Sequence, residues 1–131
     1  MASLVRRETA STALARVTAL RLGRYRRPFD AQREADWIAA AVDLSEVDII
    51  LSGAGGWPAL DPMYLSVASE LSSRAGRTLK HQTYKQLCGE FHAASAFGFS
   101  VALDRVRNGS RGVLLYTLSP RGAKAICCLQ P

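Results

Sequence analysis

The side chains best suited to chemistry crowd into YKQLCGEFHAA, residues 84–94, where Lys85, Cys88, Glu90 and His92 follow one another closely. A thiol with a carboxylate two positions on is the least that a base-activated nucleophile needs. An apolar stretch adjoins directly, however, and a cysteine in such surroundings behaves as a small buried hydrophobe. Lys85 ahead of Gly89-Glu90 reads most simply as half of an ion pair that fixes a loop, and His92 as a partly buried polar residue. An ionised Glu90 accepts hydrogen bonds and donates none, so it would oppose a developing negative charge. Cys127 and Cys128 are adjacent and would point to opposite faces of a strand. With Cys88 they make three, an odd number that suits no disulfide framework, and there is no CxxC. His81 and His92 complete no familiar ligand set, so neither a metal nor a cofactor is expected.

These residues must be positioned by a regular alternation of elements. ARVTALRLG, residues 15–23, mixes β-branched and apolar residues with polar Arg16, Thr18 and Arg21, and reads as a strand. After the loop RYRRPF, Asp30 fits an N-cap, and Glu34, Trp37, Ile38, Ala41 and Val42 follow with helical spacing. VDIILS, residues 47–52, is a nearly continuous apolar run, the mark of a strand covered on both faces. The glycine-rich GAGGWPALDP then leads to Asp61 as N-cap and Pro62 at the first helical position. That helix should run to about Arg74, with Gly76 ending it in a left-handed conformation. RTLKHQT is a short strand. The helix opening near residue 90 stops at Asn108-Gly109, and GVLLYTL and AKAICCLQ form a hairpin around Ser-Pro-Arg-Gly. The order β-α-β-α-β-α-β-β predicts an α/β domain with a mixed, mostly parallel sheet, helices on its faces and one antiparallel strand from the final hairpin.

At 131 residues, without repeat or linker, the chain reads as a single domain, 1–131, able to bury a real core. No apolar run is long enough to cross a bilayer, and MASLVRRETASTALA lacks the apolar core of a secretion signal, so a cytoplasmic location and no membrane partner are expected. The net charge of +6 is concentrated partly at Arg21, Arg24, Arg26 and Arg27, with a second group at Arg105, Arg107 and Arg111. Such a balance is either an ordinary solvated surface or an attraction for an acidic partner. The aromatics do not interleave with the arginines as a nucleic-acid groove requires, and no motif supports that partner.

One stretch stands apart. From Phe91 to Leu103 there is no Lys, Arg, Asp or Glu. Laid on a helix, its apolar residues surround the axis, and a helix apolar all round is buried all round. The chain's own sheet can cover one side. The other, with Phe91, Ala94, Phe97, Gly98 and Val101, is expected to press against a partner.

In the order of its elements and in two motifs, the chain resembles the C-terminal half of the β-ketoacyl synthases, condensing enzymes of the thiolase-like superfamily, from about Arg7 to Gln130. The family carries a His-Gly-Thr-Gly-Thr loop before Asp-Pro and a helix. Here VDIILSGAGGWPALDP keeps the length and Asp61-Pro62 but puts Gly53 at the first catalytic histidine. Gly55 and Trp57 stand where two threonines hold the pantetheine arm at the mouth of the substrate channel. Trp57 either blocks or reshapes that route or is ordinary packing. The family's Lys-x-x-x-Gly-His motif survives as KQLCGE, with Lys85 and Gly89 retained and Glu90 at the second histidine. Gly122 is the remnant of a Gly-Phe-Gly-Gly loop. The nucleophilic cysteine belongs to the half of the fold this chain does not contain.

The resemblance implies a subunit that is not catalytic alone, closest in character to the chain-length factors of polyketide or fatty-acid-type synthesis. It would pair with a ketosynthase or with a chain supplying the complementary half. Two alternatives remain open: a split condensing enzyme completed in trans, with Glu90 in a changed chemistry, or a basic module that binds an acyl carrier protein through Arg24, Arg26 and Arg27.

Overall fold

A computed structural model describes residues 15–55, 58–84 and 94–131, and for 94–97 the backbone alone. Strand β1 (Arg16–Arg24) is followed by α1 (Ala31–Ala39), a single 3-10 turn, β2 (Ile49–Ser52), α2 (Asp61–Ala75), β3 (Lys80–Thr83), α3 (Ala94–Arg107), β4 (Val113–Leu118) and β5 (Ala123–Gln130). The strands form one sheet in the order β1-β5-β4-β2-β3. β2 pairs in parallel with both β3 and β4, whereas β5 is antiparallel to β4 and to β1. Four strands therefore point one way and only β5 runs against them, so the mixed, mostly parallel α/β architecture is the one expected.

Local chemistry sets the boundaries. The Asp30 carboxylate accepts from the amides of Gln32 at 2.9 Å and Arg33 at 3.3 Å, capping α1. Gly76 closes α2 at φ +71°, a conformation open to glycine and strained for other residues. The start of α2 departs from expectation by one position. Leu60 is the N-cap and Asp61 the first helical residue, because the Asp61 carboxylate turns outward to accept the Gly55 amide at 3.1 Å. Its charge still lies in the first turn, where the helix dipole favours it.

The core has two parts, one on each face of the sheet. Ala35 and Ile38 of α1 and Tyr64, Val67 and Leu71 of α2 cover Leu114, Tyr116, Ile126 and Cys128. On the opposite face Val101, Ala102, Leu103 and Val106 of α3 cover Leu51, Leu115, Cys127 and Leu129. Cys127 and Cys128 thus do face opposite ways, both as free, buried thiols. Burial pushes the Cys127 thiol up to about 11, so it stays protonated at neutral pH.

The first face also buries charge. Glu34 is only 2% exposed. Its carboxylate accepts from the Tyr116 hydroxyl at 2.9 Å and from the Lys124 ammonium at 2.8 Å. The ammonium lies 4.2 Å from the Trp37 ring centroid. One carboxylate therefore ties α1 to β4 and β5 with both its oxygens satisfied, which is the condition for a tolerable buried ion pair.

Candidate functional site

The candidate site lies at the carboxyl end of β2, where the strand breaks into the glycine loop. There the Ser52 hydroxyl and His81 Nε2 of the neighbouring strand are 2.7 Å apart, and the hydroxyl also accepts the Ala54 amide at 3.3 Å. Burial lowers the His81 pKa, so the imidazole is neutral at pH 7. A serine paired with a histidine is the start of a hydrolytic dyad. Ser52 is 1% exposed, however, and out of a substrate's reach. The pair braces the loop that leaves the strand.

Gly53 comes next, its amide donating to Tyr116 O at 3.1 Å. A side chain here would collide: a Cβ built on Gly53 lies 2.7 Å from the Tyr64 hydroxyl and 3.5 Å from that of Tyr84. Tyr64 is anchored in place, for its hydroxyl accepts from Leu118 N at 2.6 Å and donates to Leu118 O at 3.2 Å. Tyr84 is held from the other side. A Cβ on Gly98 would approach its ring to 2.8 Å, so only glycine lets α3 pass this close. The space beside Gly53 is filled by two buried tyrosines.

Of the residues singled out from sequence, the structure brings Gly53 to the strand end and Gly55 to an exposed point of the loop above α2. Trp57, Lys85, Cys88, Glu90, Phe91 and His92 lie outside the described residues, as do the side chains of Ala94 and Phe97. Two expected members of the partner face are corrected. Gly98 is buried against Tyr84 and Val101 against the chain's own sheet, so neither is free for a partner. In its described half α3 has a narrow wet stripe, Ser100, Asp104 and Arg107. Gly98, Val101, Ala102, Leu103 and Val106 are buried around most of the remaining circumference.

Tyr64, Tyr84 and Ser52 were not marked by sequence reasoning, and His81 was weighed only as a metal ligand. Tyr84 precedes Lys85 and Tyr64 closes the first turn after Asp61, yet each reads as an ordinary core aromatic until the space over Gly53 is seen.

The arginines of the 24–27 loop are exposed, and the loop is pinned to the β4–β5 turn. Tyr25 N donates to Gly122 O at 2.9 Å and Arg24 Nη2 to Arg121 O at 2.7 Å. Gly122 takes φ +97°, which lets the turn fold under the loop. Arg24, Arg26, Arg27 and the exposed Arg121 thus belong to one basic edge. Among the described residues no cluster of His, Cys, Asp and Glu could hold a metal ion, and no helix is long and apolar enough to cross a membrane.

No protein-family profile and no curated protein sequence match the chain. Solved structures do. An oxazolomycin ketosynthase domain of Streptomyces albus superposes with a TM-score of 0.70 at 14% identity, over 90% of this chain and 45% of that one. The PfaC keto synthase–chain length factor gives 0.73 at 19%, over 93% of this chain and 13% of that one. The ishigamide ketosynthase/chain length factor gives 0.65 at 20%, over 93% and 37%. The fold is that of a thiolase-like ketosynthase half, and the chain spans less than half the length of each of these proteins.

Proposed function

We propose that this chain is a non-catalytic, ketosynthase-like subunit that pairs with a ketosynthase or a complementary half-chain in cytoplasmic polyketide or fatty-acid-type synthesis. The observation that carries the reading is the state of Gly53. Where a condensing enzyme needs a donor against developing enolate charge, this chain offers no side chain, and the Tyr64 hydroxyl lies 2.7 Å from where a first side-chain atom would stand. Tyr64 does not stand in as that donor, since its proton goes to Leu118 O. Two of the matched neighbours are themselves named as ketosynthase with chain length factor, which supports the pairing.

The test is to purify the chain alone and with the ketosynthase-like chain of its own genome, and to follow malonyl-thioester decarboxylation and product length. The chain alone should be inert, and Gly53→His should remain inert because the imidazole has no room. Omitting the chain from the complex should alter assembly or product length. If it alters neither, the subunit reading is wrong.

A second reading is favoured by the basic edge. Four exposed arginines held on two interlocked loops suit the acidic surface of an acyl carrier protein, to which Arg24, Arg26 and Arg27 would be the first contacts. Reversing Arg24 and Arg26 should weaken carrier binding, and the loss should shrink as salt is raised.

A further inference from the structure

The Ser52 hydroxyl has two neighbours and one proton to place. Its oxygen accepts the Ala54 amide at 3.3 Å, and His81 Nε2 lies 2.7 Å away. Among the described residues no other acceptor serves that proton, so the hydroxyl donates to Nε2. A ring nitrogen that accepts carries no hydrogen, which assigns the proton of the neutral imidazole to Nδ1. Ser52 is 1% exposed, whereas His81 is only half-buried and can take a proton from water. The bonds therefore run from a solvent-reached imidazole, through a buried hydroxyl, to an amide of the glycine loop.

Little else is placed to disturb them. His81 pairs with Ile50 across β2–β3 and shares its face of the sheet, beneath α2. The residues that α2 buries there, Met63, Tyr64, Val67, Ala68 and Leu71, include no charge. Tyr116, beside Ser52 on β4, is kept protonated by burial and by Glu34. Lys80 and Gln82, the latter bonded by Arg105, hold the alternate positions of β3 and so belong to the other face. Asp61, at the start of α2, is turned to the Gly55 amide. Among the described residues no ion pair involves His81, and burial is what lowers its pKa.

We propose that Ser52 and His81 form an acid-sensitive latch on the glycine loop, in which a neutral His81 holds residues 53–55 to the strand end and a protonated one releases them. The proton enters at Nε2, and no covalent bond of Ser52 forms or breaks. The new N–H can only donate, so the Ser52 proton loses its acceptor in a buried position. The hydroxyl must rotate to find another, and the rotation takes its oxygen from the Ala54 amide. The latch is thus shut at pH 7 and opens on the acid side of the ordinary imidazole value of 6.5. It is independent of the pairing reading, and gives the loop that carries Gly53 and Gly55 two states.

Nitrogen and amide-exchange NMR of the full chain between pH 8 and pH 5 tests the latch. At pH 8 the His81 ring should carry its proton on Nδ1. Through the His81 midpoint, protection of the Ala54 amide, corrected for the intrinsic pH dependence of exchange, should fall roughly fivefold, as for the loss of one ordinary hydrogen bond. His81→Gln supplies a neutral acceptor at every pH and should abolish the step with Ala54 still protected. Ser52→Ala should abolish it with Ala54 open throughout. If either variant fails to fold, the unmodified chain decides alone. A ring proton on Nε2 at pH 8, or Ala54 protection constant across the His81 midpoint, would overturn the latch. A step that persists in His81→Gln would assign the response to another group, such as the Asp61 carboxylate, and would overturn it too.

Discussion

Beneath α1 and α2 the sheet hides even a charged pair, with Glu34 and Lys124 fully partnered under Tyr116 and Trp37. On the opposite face, a few ångströms through the same strands, Leu20 and Leu22 meet solvent. Burying a charge is the harder task, since it demands partners for every oxygen and proton. Burying a leucine demands only cover, and contributes about 1.5–3 kcal/mol. A chain that has solved the first problem and not the second does not lack packing ability. One face is closed throughout its described core, and the other is closed beneath α3 and open along β1, in a strip of Val17, Leu20 and Leu22.

The contrast can be broken most forcefully at Glu34. Glu34→Ala strands the Lys124 ammonium in a closed core and should cost about 3–5 kcal/mol in urea unfolding, the usual penalty for orphaning one partner of a buried pair. At the candidate site, Tyr64→Phe keeps the ring but leaves both backbone groups of Leu118 without their partner. A loss of about 1–3 kcal/mol is expected in the same measurement. A smaller effect follows from His81. Burial lowers its pKa in the folded chain, so the folded state holds it neutral and the unfolded state takes up the proton first. Stability should therefore be full above the ordinary imidazole range, fall as pH drops through about 6.5, and level off below the lowered folded value. His81→Gln should flatten that slope in melts recorded between pH 8 and pH 5. The smallest effect belongs to the bare strip. Leu22→Ser in the isolated chain should change unfolding free energy by no more than about 0.5 kcal/mol, as surface substitutions do. A large loss there would mean that the face is covered after all.

Local signals carried much of the fold. The Asp30 cap, the left-handed Gly76, the Gly122 turn and the opposed cysteines follow from rules that act over a few residues. Asp61 came out one position late because its carboxylate answers a loop amide that spacing cannot reveal. In β1 the polar residues Arg16, Thr18 and Arg21 were easy to see. Their phase relative to Leu20 and Leu22 was not, because the irregularity near Thr18 shifts the alternation. The candidate site was half legible. Gly53 could be marked as a missing side chain, but what fills its place comes from α2 and from the end of β3, brought together only by the fold. Gly98 shows the same limit, since its want of a Cβ serves the Tyr84 ring and not a partner's backbone.

The strip on β1 has a consequence for the order of events during synthesis. Among the described residues β1 hydrogen-bonds to one strand, β5, across a separation such as the 110 residues between Thr18 and Cys128. Contacts of such range form late, because the intervening chain must first be closed into a loop. On a ribosome β1 has no place in the sheet until β5 has emerged. Until then Val17, Leu20 and Leu22 belong to a loose segment and share no surface. The apolar strip therefore exists as one surface only in chains whose two most distant strands have met, and its presence reports that the sheet is complete.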